Sequence, residues 1–259
     1  MEGRPEIERL CAALADGLAR ILGGKLCGLY VYGAAAFPET GATGDVDFHA
    51  ILGSPPTDAD RTAILALHAE LARDFPPLGA ELDGYYLLLA DARRTAPPAH
   101  LLMPGVVDDS WALHRAHILA GRCIVLRGPD PRTIYPPASW PELETALQGE
   151  LDYVIRHLGE YPEYCVLNLC RLMYSFETRD VVTSKWRAAG WASALFPSWR
   201  ELIDRAKRSY ARQASDEDRR AMSIGVKDLL AFARERISDC RTRSDPGGER
   251  PWRTGDGTG

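Results

Sequence analysis

Apolar residues recur at helical spacing from Glu6 to Leu22, where Ile7, Leu10, Cys11, Leu14, Leu18, Ile21 and Leu22 share one stripe that Gly23-Gly24 closes. A short apolar run, Leu26 to Tyr32, has a β-rich centre in Leu29-Tyr30-Val31-Tyr32 and predicts a strand that stops at Gly33. Small residues fill Gly33 to Gly44, and a second strand is predicted over Val46 to Leu52, before Pro55-Pro56. Thr57 to Asp74 predicts a helix capped by Thr57 or Asp58 and broken by Pro76-Pro77. Ala80 to Ala90 predicts a third strand, Ser110 to Gly121 a helix, and Arg122 to Leu126 a short strand stopped by Gly128-Pro129-Asp130-Pro131.

From Trp140 onward the period changes. Helical patterns run over Pro141 to Gly159, Tyr164 to Thr178, Ser184 to Leu195, Trp199 to Gln213 and Asp216 to Ile237. The chain therefore reads as α/β followed by all-α, with one domain over 1–137 and a helical bundle over 138–240. The glycine-rich stretch 241–259 has no apolar periodicity and is expected to be disordered.

Composition narrows the partners. At 259 residues with 46% apolar and 26% charged positions, the chain has ample material for a core. A net charge of −5 argues against a broad nucleic-acid surface, yet leaves room for a local basic patch that holds one nucleoside triphosphate. The six cysteines form no C-x-x-C pair and read as buried, reduced thiols. The N-terminus lacks an apolar signal core and no run approaches the roughly 20 apolar residues that span a bilayer, so a cytoplasmic protein is expected.

The chemistry concentrates in Tyr30 to Leu52, YVYGAAAFPETGATGDVDFHAIL. Residues two apart on a strand share a face, so Asp45 and Asp47 place two carboxylates side by side, a hard oxygen set suited to Mg²⁺. The preceding small-residue loop lets backbone N–H groups approach phosphate oxygens. A third carboxylate is sought on a neighbouring strand. Glu81 and Asp83 both stand at the start of the third strand, and Asp83, nearer the apolar run Tyr85 to Leu89, is the choice. His49 is expected on the opposite strand face, packed or solvent-facing. His114 and His117, three apart on a helix, are expected to be structural, and Trp186 and Trp191 to serve packing.

This strand-GA-loop-GDVD pattern resembles the G-S-x(n)-D-x-D signature of the DNA polymerase β-like nucleotidyltransferases. The chain is more narrowly similar to the aminoglycoside 3″/9-adenylyltransferases, which confer spectinomycin and streptomycin resistance. Val166-Leu167-Asn168-Leu169-Cys170-Arg171-Leu172-Met173-Tyr174-Ser175 resembles that family's V-L-T-L-x-R-I-W-Y-S helix. Lys185 to Ala192 resembles its K-x-x-A-A-x-W-A segment, and Trp111 through Pro129 its helix and strand ending in L-x-G-P. The likeness covers roughly residues 6 to 238.

The resemblance implies a nucleotidyltransferase-fold mixed sheet with helices, and transfer of AMP from ATP to a hydroxyl of a cationic small molecule with loss of pyrophosphate. It implies that Asp45 and Asp47 hold Mg²⁺ and that Asp83 takes the place of the family's catalytic glutamate. Gly33, Ala34 and Gly44 would face the phosphates, Arg171 and Lys185 would reach the triphosphate, and Tyr210 would contact the nucleotide. Glu160 and Glu163 are the nearest candidates for gripping a cationic acceptor. The chain departs from the family at Ala34 and Gly44, where serines are usual, in the shorter Asp83, and between Ala90 and Ser110, which lacks a tryptophan-bearing substrate loop. Two other readings fit the same residues: a nucleotidyltransferase acting on another metabolite or a protein, and a degenerate nucleotide-binding relative.

Overall fold

The structure is a computed structural model and describes residues 4–37 and 45–243. The chain divides into two units, 1–139 and 140–259.

In the first unit, helix α1 (Arg4–Leu22) buries the predicted stripe: Leu10, Leu14 and Leu18 are fully enclosed. Four strands follow among the helices: β1 (Leu26–Tyr32), β2 (Val46–Leu52), β3 (Leu82–Leu88) and β4 (Ile124–Arg127). Their order is β3-β2-β1-β4, with β2 and β3 parallel and the other pairs antiparallel, a mixed sheet. Side chains alternate across it. Leu29, Val31, Val46, Phe48, Ala50 and Leu52 pack on one face against α1 and α2 (Asp58–Asp74). Gly17 lets these helices close up, since a Cβ there would lie 2.5 Å from Leu67. A capping box starts α2, in which the Asp60 amide donates to Thr57 and the Thr57 amide donates to Asp60.

Tyr30, Tyr32, Ile51 and Leu87 face the other way, against Trp111 and Ile118 of α4 (Trp111–Leu119) and the Ile134-Tyr135 segment. A short helix, α3 (Leu89–Ala92), ends β3 earlier than the predicted Ala90, and a 3-10 turn over Leu78–Glu81 precedes it. Arg115 of α4 is wholly buried. Its guanidinium donates to the Pro136 and Pro137 carbonyls at 3.0 Å, tying that proline segment to the helix. Arg115→Ala strips both carbonyls of their donor and leaves a cavity, with an expected loss of about 3 kcal/mol. That corresponds to a Tm fall of roughly 6–12 °C. A calorimetric Tm within about 2 °C of wild type would show the guanidinium to be dispensable.

The second unit holds α5 (Trp140–His157), α6 (Pro162–Thr178), α7 (Lys185–Leu195), α8 (Arg200–Tyr210) and α9 (Asp216–Arg243). α6 is the central helix, apolar nearly all round and packed against the other four. It ends at Arg179, whose φ of 54° is left-handed, with the guanidinium 4.3 Å over the Trp140 ring. α9 runs past the predicted Ile237 because ion pairs replace apolar periodicity there: Arg241 binds Glu144 at 3.0 Å, and Arg236 and Arg243 bind Glu177 at 3.1 and 3.2 Å. Of the stretch expected to be disordered, 241–243 are helical and the rest lies outside the described residues. All six cysteines are free thiols. Among the described residues no helix is long and apolar enough to cross a membrane.

Candidate functional site

β1 ends at Gly33, whose φ of 65° turns the chain into the 3-10 turn Gly33–Ala36. Ala34 accepts the Phe37 amide at 3.2 Å, which closes that turn. Gly44 lies outside the described residues. The chain returns as β2, with Asp45 exposed just before it and Asp47 half-buried. The register sets Asp47 opposite Tyr32 on one side and opposite Asp83 on the other. Neighbouring strands lie about 4.8 Å apart, so Asp47 and Asp83 are adjacent carboxylates on one face. A Cβ built on Gly33 would stand 1.7 Å from Asp47 Oδ2, so only glycine leaves this carboxylate its place. Glu81 sits one residue outside the ladder, half-buried at the end of the 3-10 turn. Asp83 is exposed.

The Tyr32 phenol lies buried beside this row. Burial first, and then the negative charges of Asp108, Asp47 and Asp83, push its pKa well up, so the hydroxyl stays protonated.

His49 is packed, as expected, but not on the expected face. It is two residues past Asp47 and therefore shares its face, as the parity of 45, 47 and 49 requires. The ring is fully buried, and its Nδ1 lies 3.0 Å from the Tyr135 hydroxyl. Its Nε2 lies 3.9 Å from Asp108 Oδ2. Burial, reinforced by His114 and opposed by Asp108, brings the His49 pKa down to about 3, so the ring is neutral. Asp108 sits in the irregular segment before α4. Burial works to raise its pKa, but His114 and the other donors outweigh this and hold it below the usual carboxylate value. His114 Nδ1 is 2.9 Å from Asp108 Oδ2 and 3.4 Å from the Tyr32 hydroxyl. His117, by contrast, is buried against the Phe37 ring, a packing role as expected.

In the helical unit both basic candidates are engaged by neighbouring side chains. Arg171 donates to Glu150 at 2.8 Å, and Asn168 donates to the same oxygen at 3.0 Å. Lys185 Nζ lies 4.1 Å over the Tyr164 ring, whose hydroxyl feels the charges of both Glu150 and Arg171. Glu150 went unnoticed in the sequence because a glutamate on an amphipathic helix carries no signal of its own. Tyr210 closes α8, half-buried. Glu160 is exposed in the turn after α5, and Glu163 is half-buried in the first turn of α6. Trp191 packs edge-on to Tyr174 and Phe196, whereas Trp186 is 39% exposed beneath Lys207 and does not serve the core.

Comparison with known proteins adds to this geometry. Residues 134–235 match the family described as aminoglycoside adenylyltransferase, C-terminal domain. No curated protein matches the chain in sequence. Among solved structures, a spectinomycin adenyltransferase AAD(9) from Enterococcus faecialis, crystallised with ATP and spectinomycin, is similar with a TM-score of 0.69 and 16% identity. The match covers 89% of this chain and 99% of that one, so the two share a fold along nearly their whole length. The helical unit, α5 to α9, is thus similar to the C-terminal domain of the aminoglycoside adenylyltransferases, and the chain as a whole shares the fold of a spectinomycin adenyltransferase.

Proposed function

We propose that this protein transfers AMP from ATP to a hydroxyl of a cationic aminoglycoside or aminocyclitol in the cytoplasm, releasing pyrophosphate and conferring resistance. The observation that carries this reading is the pairing of Asp47 with Asp83 beside a glycine that no other residue can replace. Asp45 and Asp47 stand two apart where β2 opens and offer hard carboxylate oxygens, a donor set that fits Mg²⁺. Bound there, Mg²⁺ would neutralise triphosphate charge as a Lewis acid.

The chain's own groups account for the rest. Asp83, exposed and level with Asp47, accepts the proton of the acceptor hydroxyl as its oxygen attacks the α-phosphorus. The bond from that phosphorus to the bridging oxygen breaks, and pyrophosphate leaves with the electron pair. The backbone of Gly33, Ala34 and Gly44 offers N–H donors to the phosphates in place of serine hydroxyls. Arg171 and Lys185 are the cations for the triphosphate and Tyr210 the nucleotide contact. Glu160 and Glu163 attract a cationic acceptor.

The test is pyrophosphate release from ATP with Mg²⁺ and a panel that includes spectinomycin and streptomycin, with the AMP adduct identified by mass spectrometry. Adduct on a drug hydroxyl is the expected result. ATP binding with no pyrophosphate from any member of the panel would remove the drug as acceptor.

A further inference from the structure

We propose that His49, Asp108 and His114 form a second metal site, distinct from the β2 and β3 aspartates, that takes a transition-metal ion of the Zn²⁺ class. Among the described residues this is the one trio of His, Cys, Asp or Glu side chains whose ligand atoms all lie within 4.8 Å of one another. Asp45, Asp47 and Asp83 do not close together in this way. Two imidazole nitrogens and one carboxylate oxygen form a donor set that prefers Zn²⁺ or Co²⁺ over Mg²⁺, which favours oxygen alone.

The second observation is His49 itself. Its Nε2 is buried, has no hydrogen-bond partner among the described residues, and stands 3.9 Å from Asp108 Oδ2. A buried nitrogen without a partner is uncommon and calls for an explanation, and a metal ion supplies one. The opposite ring nitrogen is already engaged by the Tyr135 hydroxyl at 3.0 Å, the outer contact that typically orients a metal-bound histidine. Asp108 is steadied by the Ser110 amide, which donates to Oδ1 at 3.1 Å and leaves Oδ2 to the two rings. His114, with 28% of its side chain exposed, gives an entry path, and three protein ligands leave a position open for water or a substrate atom.

Co²⁺ reports such a site through its visible ligand-field bands. Metal-stripped full-length protein titrated with Co²⁺ is expected to develop these bands at one ion per chain and to lose them when Zn²⁺ is added. The bands should survive excess Mg²⁺ and the Asp47→Asn change, and disappear in His114→Ala. Tyr135→Phe should weaken Zn²⁺ binding by about 10- to 100-fold through the lost outer contact. Because His114→Ala could disturb α4, wild type supplies an independent reading: Zn²⁺ should shift the ring resonances of both His49 and His114 in NMR spectra. Silence of either ring overturns the proposal, as do bands that persist in a folded His114→Ala protein or vanish with Asp47→Asn.

Discussion

Asp47→Asn is expected to lower adenylyl transfer by on the order of 10³-fold, because one Mg²⁺ ligand contributes several kcal/mol of charge stabilisation and each 1.4 kcal/mol is tenfold in rate. The amide keeps the shape of the side chain, so the β1–β2–β3 ladder should remain intact. Stability separates this loss from damage to the fold. Asp47 and Asp83 are like charges set level on adjacent strands, an arrangement that destabilises a sheet. Removing one charge should therefore hold or raise the Tm of the metal-free protein while activity collapses. Steady-state pyrophosphate release and calorimetry on the same preparation give both readouts. A rate within tenfold of wild type would take Asp47 out of the metal site, and a Tm fall of several degrees would assign it to the fold instead.

The D-x-D pair is a local signal in the sequence, whereas what stands beside it in space is a matter of range. β1 and β2 were legible to the residue because each is a dense apolar run that ends at a glycine or at small residues, a purely local signal. The pairing of Asp47 with Asp83 is a register, set by thirty-odd residues of intervening helix and turn, and spacing along the chain does not encode it. Proximity to the apolar run favours Asp83 over Glu81, and the register sets Asp83 level with Asp47. His49 stands with the aspartates because positions 45, 47 and 49 of one strand share a face. Asp108 carries no signal for a different reason: it lies in an irregular segment where an aspartate is commonplace, and only the docking of α4 on the sheet carries it, together with His114, to His49. The end of α9 was lost because Arg241 and Arg243 hold it through carboxylates on other helices, a long-range cause with no periodic trace.

Gly33→Ala is expected to cost about 10²-fold in activity without touching any ligand. The left-handed φ of 65° alone penalises an alanine by about 1–2 kcal/mol. The larger effect is steric, since the new methyl group would lie 1.7 Å from Asp47 Oδ2 and must push the carboxylate aside or reopen the turn. A misplacement of about 1 Å at a reacting centre is enough for a 10²-fold loss. Gly24→Ala is the matched control, because a Cβ there meets nothing within 4 Å. The decisive comparison is the double variant. If Gly33 acts by giving Asp47 its position, then adding Gly33→Ala to Asp47→Asn should cost less than about threefold more, because residues that share a contact do not behave additively. Full additivity would mean that Gly33 serves the phosphate-binding turn by itself, and that the close approach to Asp47 plays no part in the rate.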